Sequence, residues 1–270
     1  MTENDDYQLT NDNYYNDESN RRYMSVHQYL SFMGHMGVQG CEAKAMAMLK
    51  GEWKDETTKA MLVGSYVDSY FEGTLDKFKE EHPEVFKKDG TLYADYKKAE
   101  VMIERCKKDD FFMQTMSGEK QKIMTAYLFG CDWKTKMDSY IPGVAIVDLK
   151  TTSDLHKAWR VADYGYASVV EYWGYTLQLA LYQKVVEINT GEKLPCYLSF
   201  VTKDDEPEIC VVYVDQETLD HALNEIEMNM PSVLAVKNGQ TDPIRCEKCN
   251  YCKHTAKLKE PIHFMSLISE

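Results

Sequence analysis

Hydrophobic and polar positions along this chain follow two different periods. Leu62, Val63, Tyr66, Val67, Tyr70 and Phe71 are doubled at a spacing of four, which predicts a helix over 58–72. Residues from about 75 to 120 are rich in lysine and predict mostly exposed helices and connections. The period then shortens. Runs over 123–129, 132–137 and 143–150 are rich in β-branched and aromatic residues, with turn signals at Gly130–Cys131 and Ile141–Pro142–Gly143. They predict consecutive antiparallel strands. Residues 171–186 are apolar on nearly every face, as a buried helix requires. Two more strands follow at 196–202 and 209–214, and then a long helix from Gln216 that is interrupted or ended near Pro231. Ser25 and Gln28 have capping-box spacing ahead of Tyr29, Leu30 and Phe32, so order is expected to begin there. The Asn-, Asp- and Tyr-rich residues 1–22 read as a flexible arm. The expected fold class is α/β, a mixed central sheet flanked by helices. The expected divisions are an arm over 1–22, a core over 23–240 and a cysteine-rich tail over 241–270 that closes onto the N-terminal part.

Composition narrows the setting. An apolar content of 44% with 12% aromatics is enough for a packed core. No run of about 18 apolar residues exists to span a membrane, and the N-terminus has neither the basic start nor the apolar stretch of a secretory signal. A cytoplasmic location is the expectation. The net charge of −13 excludes a broad basic face for nucleic acid and leaves room only for a confined positive site. Of the eight cysteines, Cys106, Cys131, Cys196 and Cys210 lie in apolar stretches and read as buried thiols.

Candidate chemistry is concentrated in two strands and two helices. Strand alternation in Ile146–Val147–Asp148–Leu149–Lys150 puts Asp148 and Lys150 on one face, and in the preceding strand Lys134, Lys136 and Asp138 share a face. If the two strands pair as a hairpin, both aspartates reach the same end of the sheet. Converging carboxylates repel unless they share a cation. Mg²⁺ suits oxygen ligands and retains waters that can attack a phosphate. A neighbouring lysine can orient or deprotonate that water, or neutralise charge in the transition state. The plain alternative is a charged, solvent-facing strand edge. On the helix at 58–72, Gly64, Asp68 and Glu72 form a stripe at i, i+4, i+8, and Asp68 is a candidate third ligand or the partner of a lysine. Gly174, Gln178 and Tyr182 form a second such stripe, placed either to meet DNA and hold Lys150 or to satisfy one another in the core.

Together these residues resemble the RecB-like branch of the PD-(D/E)xK nuclease superfamily, especially RecE-like phage exonucleases of the exodeoxyribonuclease VIII type. The resemblance runs from about Ser25 to Cys252 and rests on Gly64-x-x-x-Asp68, Asp138, Asp148-Leu-Lys150 and Gln178-x-x-x-Tyr182. It implies a restriction-endonuclease-like core and hydrolysis of DNA phosphodiesters with Mg²⁺ or Mn²⁺. The implied metal ligands are Asp68, Asp138, Asp148 and the backbone carbonyl of Leu149, and the implied catalytic set is Asp138, Asp148, Lys150, Gln178 and Tyr182. It further implies digestion from duplex ends, a RecT-type single-strand annealing partner, a homo-oligomer around DNA and a phage or prophage origin. Asp68 departs from the family, which usually carries histidine there.

The tail holds a second metal candidate. Cys246, Cys249 and Cys252 form two overlapping C-x-x-C units, a dense thiolate spacing. A fourth ligand is needed, and the tail offers His254 alone. Cys41 resembles the first cysteine of the iron–sulfur RecB-like nucleases, which implies a [4Fe–4S] cluster, with Zn²⁺ the alternative for the same thiolates. Two other readings compete with the exonuclease: a DNA-binding scaffold that has kept the fold without the chemistry, and a Cas4-like iron–sulfur nuclease.

Overall fold

The computed structural model describes residues 7–258 and 260–267. In chain order the helices before the sheet are α1 (Asp17–Arg22), α2 (Val26–Met33), α3 (Glu42–Leu49), α4 (Lys59–Glu72), α5 (Leu75–Glu81), α6 (Ala94–Lys107) and α7 (Asp110–Thr115). Strands β1 (Glu119–Leu128), β2 (Cys131–Ile141) and β3 (Ala145–Thr152) follow, then a small hairpin of β4 (Trp159–Val161) and β5 (Gly165–Ala167). The chain continues through α8 (Val169–Tyr172), α9 (Tyr175–Thr190), β6 (Cys196–Thr202), β7 (Ile209–Val214), α10 (Gln216–Lys237) and α11 (Asn250–His254).

The central sheet has the order β1-β2-β3-β6-β7. The pairs β1–β2, β2–β3 and β6–β7 are antiparallel, as the turn signals require, whereas β3 and β6 are parallel. A parallel neighbour needs a long crossover, and α8 and α9 supply it. The pleat of β3 sends Ile146 into a core with α2, α9 and α10, while Ala145, Val147 and Leu149 enter another with α4, α6 and α7. Helices therefore cover both faces. In α9, 10 of 16 residues are buried, so its Gln178 and Tyr182 have to find partners inside the protein.

Five expectations are corrected. Order begins before Ser25: Asn16 caps α1, Ser19 is fully buried, and Met24 bridges Trp133. The buried Lys134 ammonium requires acceptors, and this polar segment provides them through Tyr14 O at 2.5 Å and Ser19 Oγ and Asn20 Oδ1 at 2.8 Å each. Residues 1–6 lie outside the described residues. The lysine-rich region is less exposed than its composition implies, because Tyr96, Ala99, Met102, Ile103 and Cys106 give α6 an apolar stripe that builds the second core. The helix over 171–186 is broken at Gly174, whose φ of 70° no helix accommodates, so Gly174 precedes α9 and the second stripe loses its first member. Helix α10 runs through Pro231. Residues on both sides of the proline, Ile226, Met230, Val233 and Val236, all pack into one core, which holds the helix together. Cys106 and Cys196 are buried as expected, but Cys131 is only half-buried and Cys210 is exposed on the edge strand β7.

Candidate metal-dependent active site

A fork between β2 and β3 creates the site. Trp133, Met137 and Tyr140 all enter the same core, so the pleat of β2 slips by one residue around Asp138. Opposite it, Gln121 has a φ of 50°, and the β1–β2 register passes from Lys120↔Ser139 to Lys122↔Met137. Gln121 Nε2 instead donates to Asp138 Oδ1 at 3.1 Å. The pairing of β2 with β3 stops at Ser139↔Val147, and beyond it the N–H of Leu149 donates to Asp138 Oδ2 at 2.8 Å. Asp138, Asp148 and Lys150 thus meet where the strands part.

Two helices complete the arrangement. Gly64 lets α4 approach β3 closely, since a Cβ there would stand 3.2 Å from Thr151 Oγ1. One turn later Asp68 joins Asp138 and Glu72 around a small pocket also lined by Gln121 and Leu149. From α9, Gln178 Nε2 donates to Asp148 Oδ1 at 2.8 Å and to Tyr182 Oη at 3.0 Å, and Tyr182 donates to the Lys136 carbonyl at 3.1 Å. Gln178 therefore positions Asp148, where the sequence suggested a grip on Lys150. Asp148 is 2% exposed, and its Oδ2 accepts no aligned hydrogen bond although it pairs with the Lys150 ammonium. The Tyr175 ring lies 4.8 Å from that ammonium.

The electrostatics describe carboxylates crowded against one another, with Lys150 at Asp148 and Lys120, Lys136 and Lys203 within electrostatic reach of Asp138, Glu72 and Asp68. Burial and then the Asp148 charge lift Asp138 to about 7, against the pull of Lys150 and the hydrogen bonds from Leu149 and Gln121. Asp68 is raised well above the usual carboxylate range by its enclosure and then by the Asp138 charge. Glu72 is raised by burial, against the attraction of Lys136. Burial opposes the charge on Lys150, but Asp148, Tyr175 and Asp138 outweigh it and hold the group above the ordinary lysine range. Crowded hard oxygens of this kind fit a divalent cation. Sequence reasoning left Glu72 without a role, although its spacing of four from Asp68 is the signal. It also missed Gln121 and Tyr175. Gln121 reaches Asp138 through a backbone irregularity that no periodicity reveals.

The four cysteines of the second candidate come together. The sulfurs of Cys41, Cys246, Cys249 and Cys252 all lie within 4.8 Å of one another, and His254 instead packs 5.5 Å from the Trp53 ring. Cys41 is the N-cap of α3, and Cys249 that of α11. The N–H groups of Cys249 and Cys252 point at Cys246 Sγ (3.3 Å) and Cys249 Sγ (3.5 Å). Burial pushes the Cys246 thiol up, but the N–H groups of Lys248 and Cys249 and the neighbouring thiols bring it down to about 6, whereas burial leaves Cys249 raised. The clasp joins α3 to the tail, reinforced by Ala43 N to Ile244 O at 3.1 Å.

Comparison with known proteins agrees with this geometry. The crystal structure of a candidate exonuclease from Eubacterium rectale superimposes with a TM-score of 0.94 at 52% identity, covering 97% of this chain and 98% of that one. A second solved structure, SSO0001, is matched over 69% of this chain and 82% of its own at 14% identity and a TM-score of 0.26, and bears no weight. Among curated proteins none matches. The profile of the family described as PDDEXK-like domain of unknown function (DUF3799) matches residues 25–255, so the chain belongs to that family, within the PD-(D/E)xK nuclease superfamily.

Proposed function

We propose that this nuclease-superfamily protein is a divalent-metal-dependent exodeoxyribonuclease that hydrolyses phosphodiesters from duplex ends. The observation that carries the proposal is the β2–β3 fork, which brings Asp138, Asp148 and Lys150 together beside Asp68. Asp68, Asp138, Asp148 and the Leu149 carbonyl would hold Mg²⁺ or Mn²⁺, with Glu72 close by. The cation supplies charge neutralisation for the phosphate and a more acidic water. Lys150, held charged by Asp148, is suited to stabilising negative charge on the reacting phosphate and unsuited to taking a proton. Gln178 orients Asp148, and Tyr182 anchors Gln178. The E. rectale relative supports the exonuclease reading, since its own description names that activity.

The finer biology belongs to the same proposal: a RecE-like role in phage recombination, a RecT-type annealing partner, and a homo-oligomer enclosing DNA. No helix among the described residues is long and apolar enough to cross a membrane, which is compatible with the cytoplasmic site of such a reaction. For the cysteine clasp, the compact sulfur set favours one tetrahedral Zn²⁺ over a [4Fe–4S] cluster. A Zn–S bond of about 2.3 Å puts sulfurs roughly 3.8 Å apart, and Cys41 and Cys252 stand 3.6 Å apart. A cluster would interpose four irons and spread them. The scaffold reading draws on Asp68 in place of the family histidine, but aspartate is itself a Mg²⁺ ligand.

Linear and covalently closed circular duplexes, incubated with Mg²⁺, Mn²⁺ or EDTA, test the end requirement. Metal-dependent nucleotide release from the linear form alone is expected. Equal cutting of the circle would replace the exonuclease with an endonuclease, and no cutting of either would favour the scaffold.

A further inference from the structure

Beside the carboxylate fork lies a cavity of about 620 Å³ that the chemistry above does not use. It shares Lys136 and Tyr182 with the surroundings of the site, so the two spaces adjoin. Its walls come from the segment before α1, from α2 and α3, and from the loop after α3. In a chain of net charge −13, three lysines line it against the single carboxylate of Asp17; Lys134 is engaged by Tyr14, Ser19 and Asn20, which leaves Lys54 and Lys136, the latter also facing Glu72, as the cations that can meet an occupant. That local reversal of sign calls for an anionic occupant. Aromatic surface accompanies the charge. Tyr15 is 71% exposed, its ring lies 4.6 Å from the Lys136 ammonium, and Trp53 lines the wall beside Lys54.

Lysines interleaved with aromatic rings are a means by which proteins hold single-stranded nucleic acid, with phosphates on the cations and bases on the rings; here Tyr15 is the exposed ring, and Trp53 is half-buried against Tyr251 and His254. The volume falls within the range of about 300–1,000 Å³ that suits a small organic ligand, and it excludes a duplex. We infer that this cavity receives the terminal one or two nucleotides of the strand being cut, with Tyr15 and Trp53 stacking bases and Lys54 and Lys136 meeting phosphates. The inference rests on the nuclease reading for the identity of the strand. It also gives the N-terminal segment a purpose. Lys134 pins Tyr14, Ser19 and Asn20 in place, and that anchor holds Tyr15 at the mouth of the cavity.

The test is calorimetric titration of a 5′-phosphorylated thymidine dinucleotide into the full chain in EDTA, where nothing is cleaved. Wild type is compared with Tyr15→Ala and Lys54→Ala, two exposed positions whose replacement leaves the cores untouched. Saturable binding by wild type is expected, weakened roughly fivefold or more in Tyr15→Ala by loss of a stacked base. Lys54→Ala should weaken it with a shallower salt dependence. Absence of wild-type binding, or wild-type affinity retained in both variants, overturns the inference. Because the assay needs no turnover, its result is independent of whether the wild type cleaves DNA.

Discussion

At the scale of single residues, the site is a problem of carboxyls crowded together in a buried place. Asp68, Glu72 and Asp138 all titrate above the usual carboxylate range, and Lys150 is engaged by Asp148. A carboxyl whose folded pKa is raised favours the folded state while it is protonated. For Asp138, that stability is lost as pH rises from about 4 through about 7. Without metal, relieving this crowding of carboxyls is therefore expected to help. Asp68→Asn should raise the thermal midpoint of the metal-free protein by about 2–4 °C, which corresponds to about 1 kcal/mol in a chain of this size. The same variant should lose most of the rise that Mg²⁺ gives the wild type. A lowered midpoint in EDTA would mean that Asp68 is held by a favourable pairing, and that its charge is not frustrated.

At the scale of elements, regular periods were legible and irregular backbone was not. The doubled apolar spacing of α4 and the strand runs of β1, β2 and β3 located those elements to within a few residues. The alternation that set Asp148 and Lys150 apart from Val147 and Leu149 is the one the two cores display. What escaped had a local cause each time. Gly174 breaks a helix through a positive φ, Pro231 is overridden by tertiary packing, and the slip at Asp138 depends on Gln121 across the sheet. The order of residues 7–22 was hidden because their acceptors have meaning only once Lys134 is buried. Cysteine spacing in the tail was readable, and the cap of α3 supplies its fourth sulfur. Cys41→Ser should therefore reduce the metal carried by the purified protein and lower its thermal midpoint, both measured against wild type by elemental analysis and calorimetry. One zinc per chain without the brown colour of iron–sulfur protein is the expected wild-type composition. Full metal content in the variant would remove Cys41 from the clasp.

At the scale of the whole molecule, the sheet divides the work. One face carries α9, whose burial fixes Gln178 against Asp148, and the other carries α4, which delivers Asp68 to the same fork. The cysteine clasp ties α3 to the tail, and α3 in turn forms a wall of the lysine-lined cavity. Net acidity argues against a broad basic face, and the cations that matter for a nucleic-acid substrate are local: Lys54 and Lys136 in that cavity, and Lys120, Lys150 and Lys203 around the carboxylates. The fork is proposed to hydrolyse DNA through a bound divalent cation, with Lys150 stabilising charge. Digestion of end-labelled linear duplex by wild type and by Lys150→Ala, in Mg²⁺, Mn²⁺ or EDTA, tests it most directly. Wild type should release nucleotides only with metal, and Lys150→Ala, with an unchanged circular dichroism spectrum, should be slower by about 100-fold or more. Cleavage by Lys150→Ala at the wild-type rate, or cleavage by wild type in EDTA, would contradict the account.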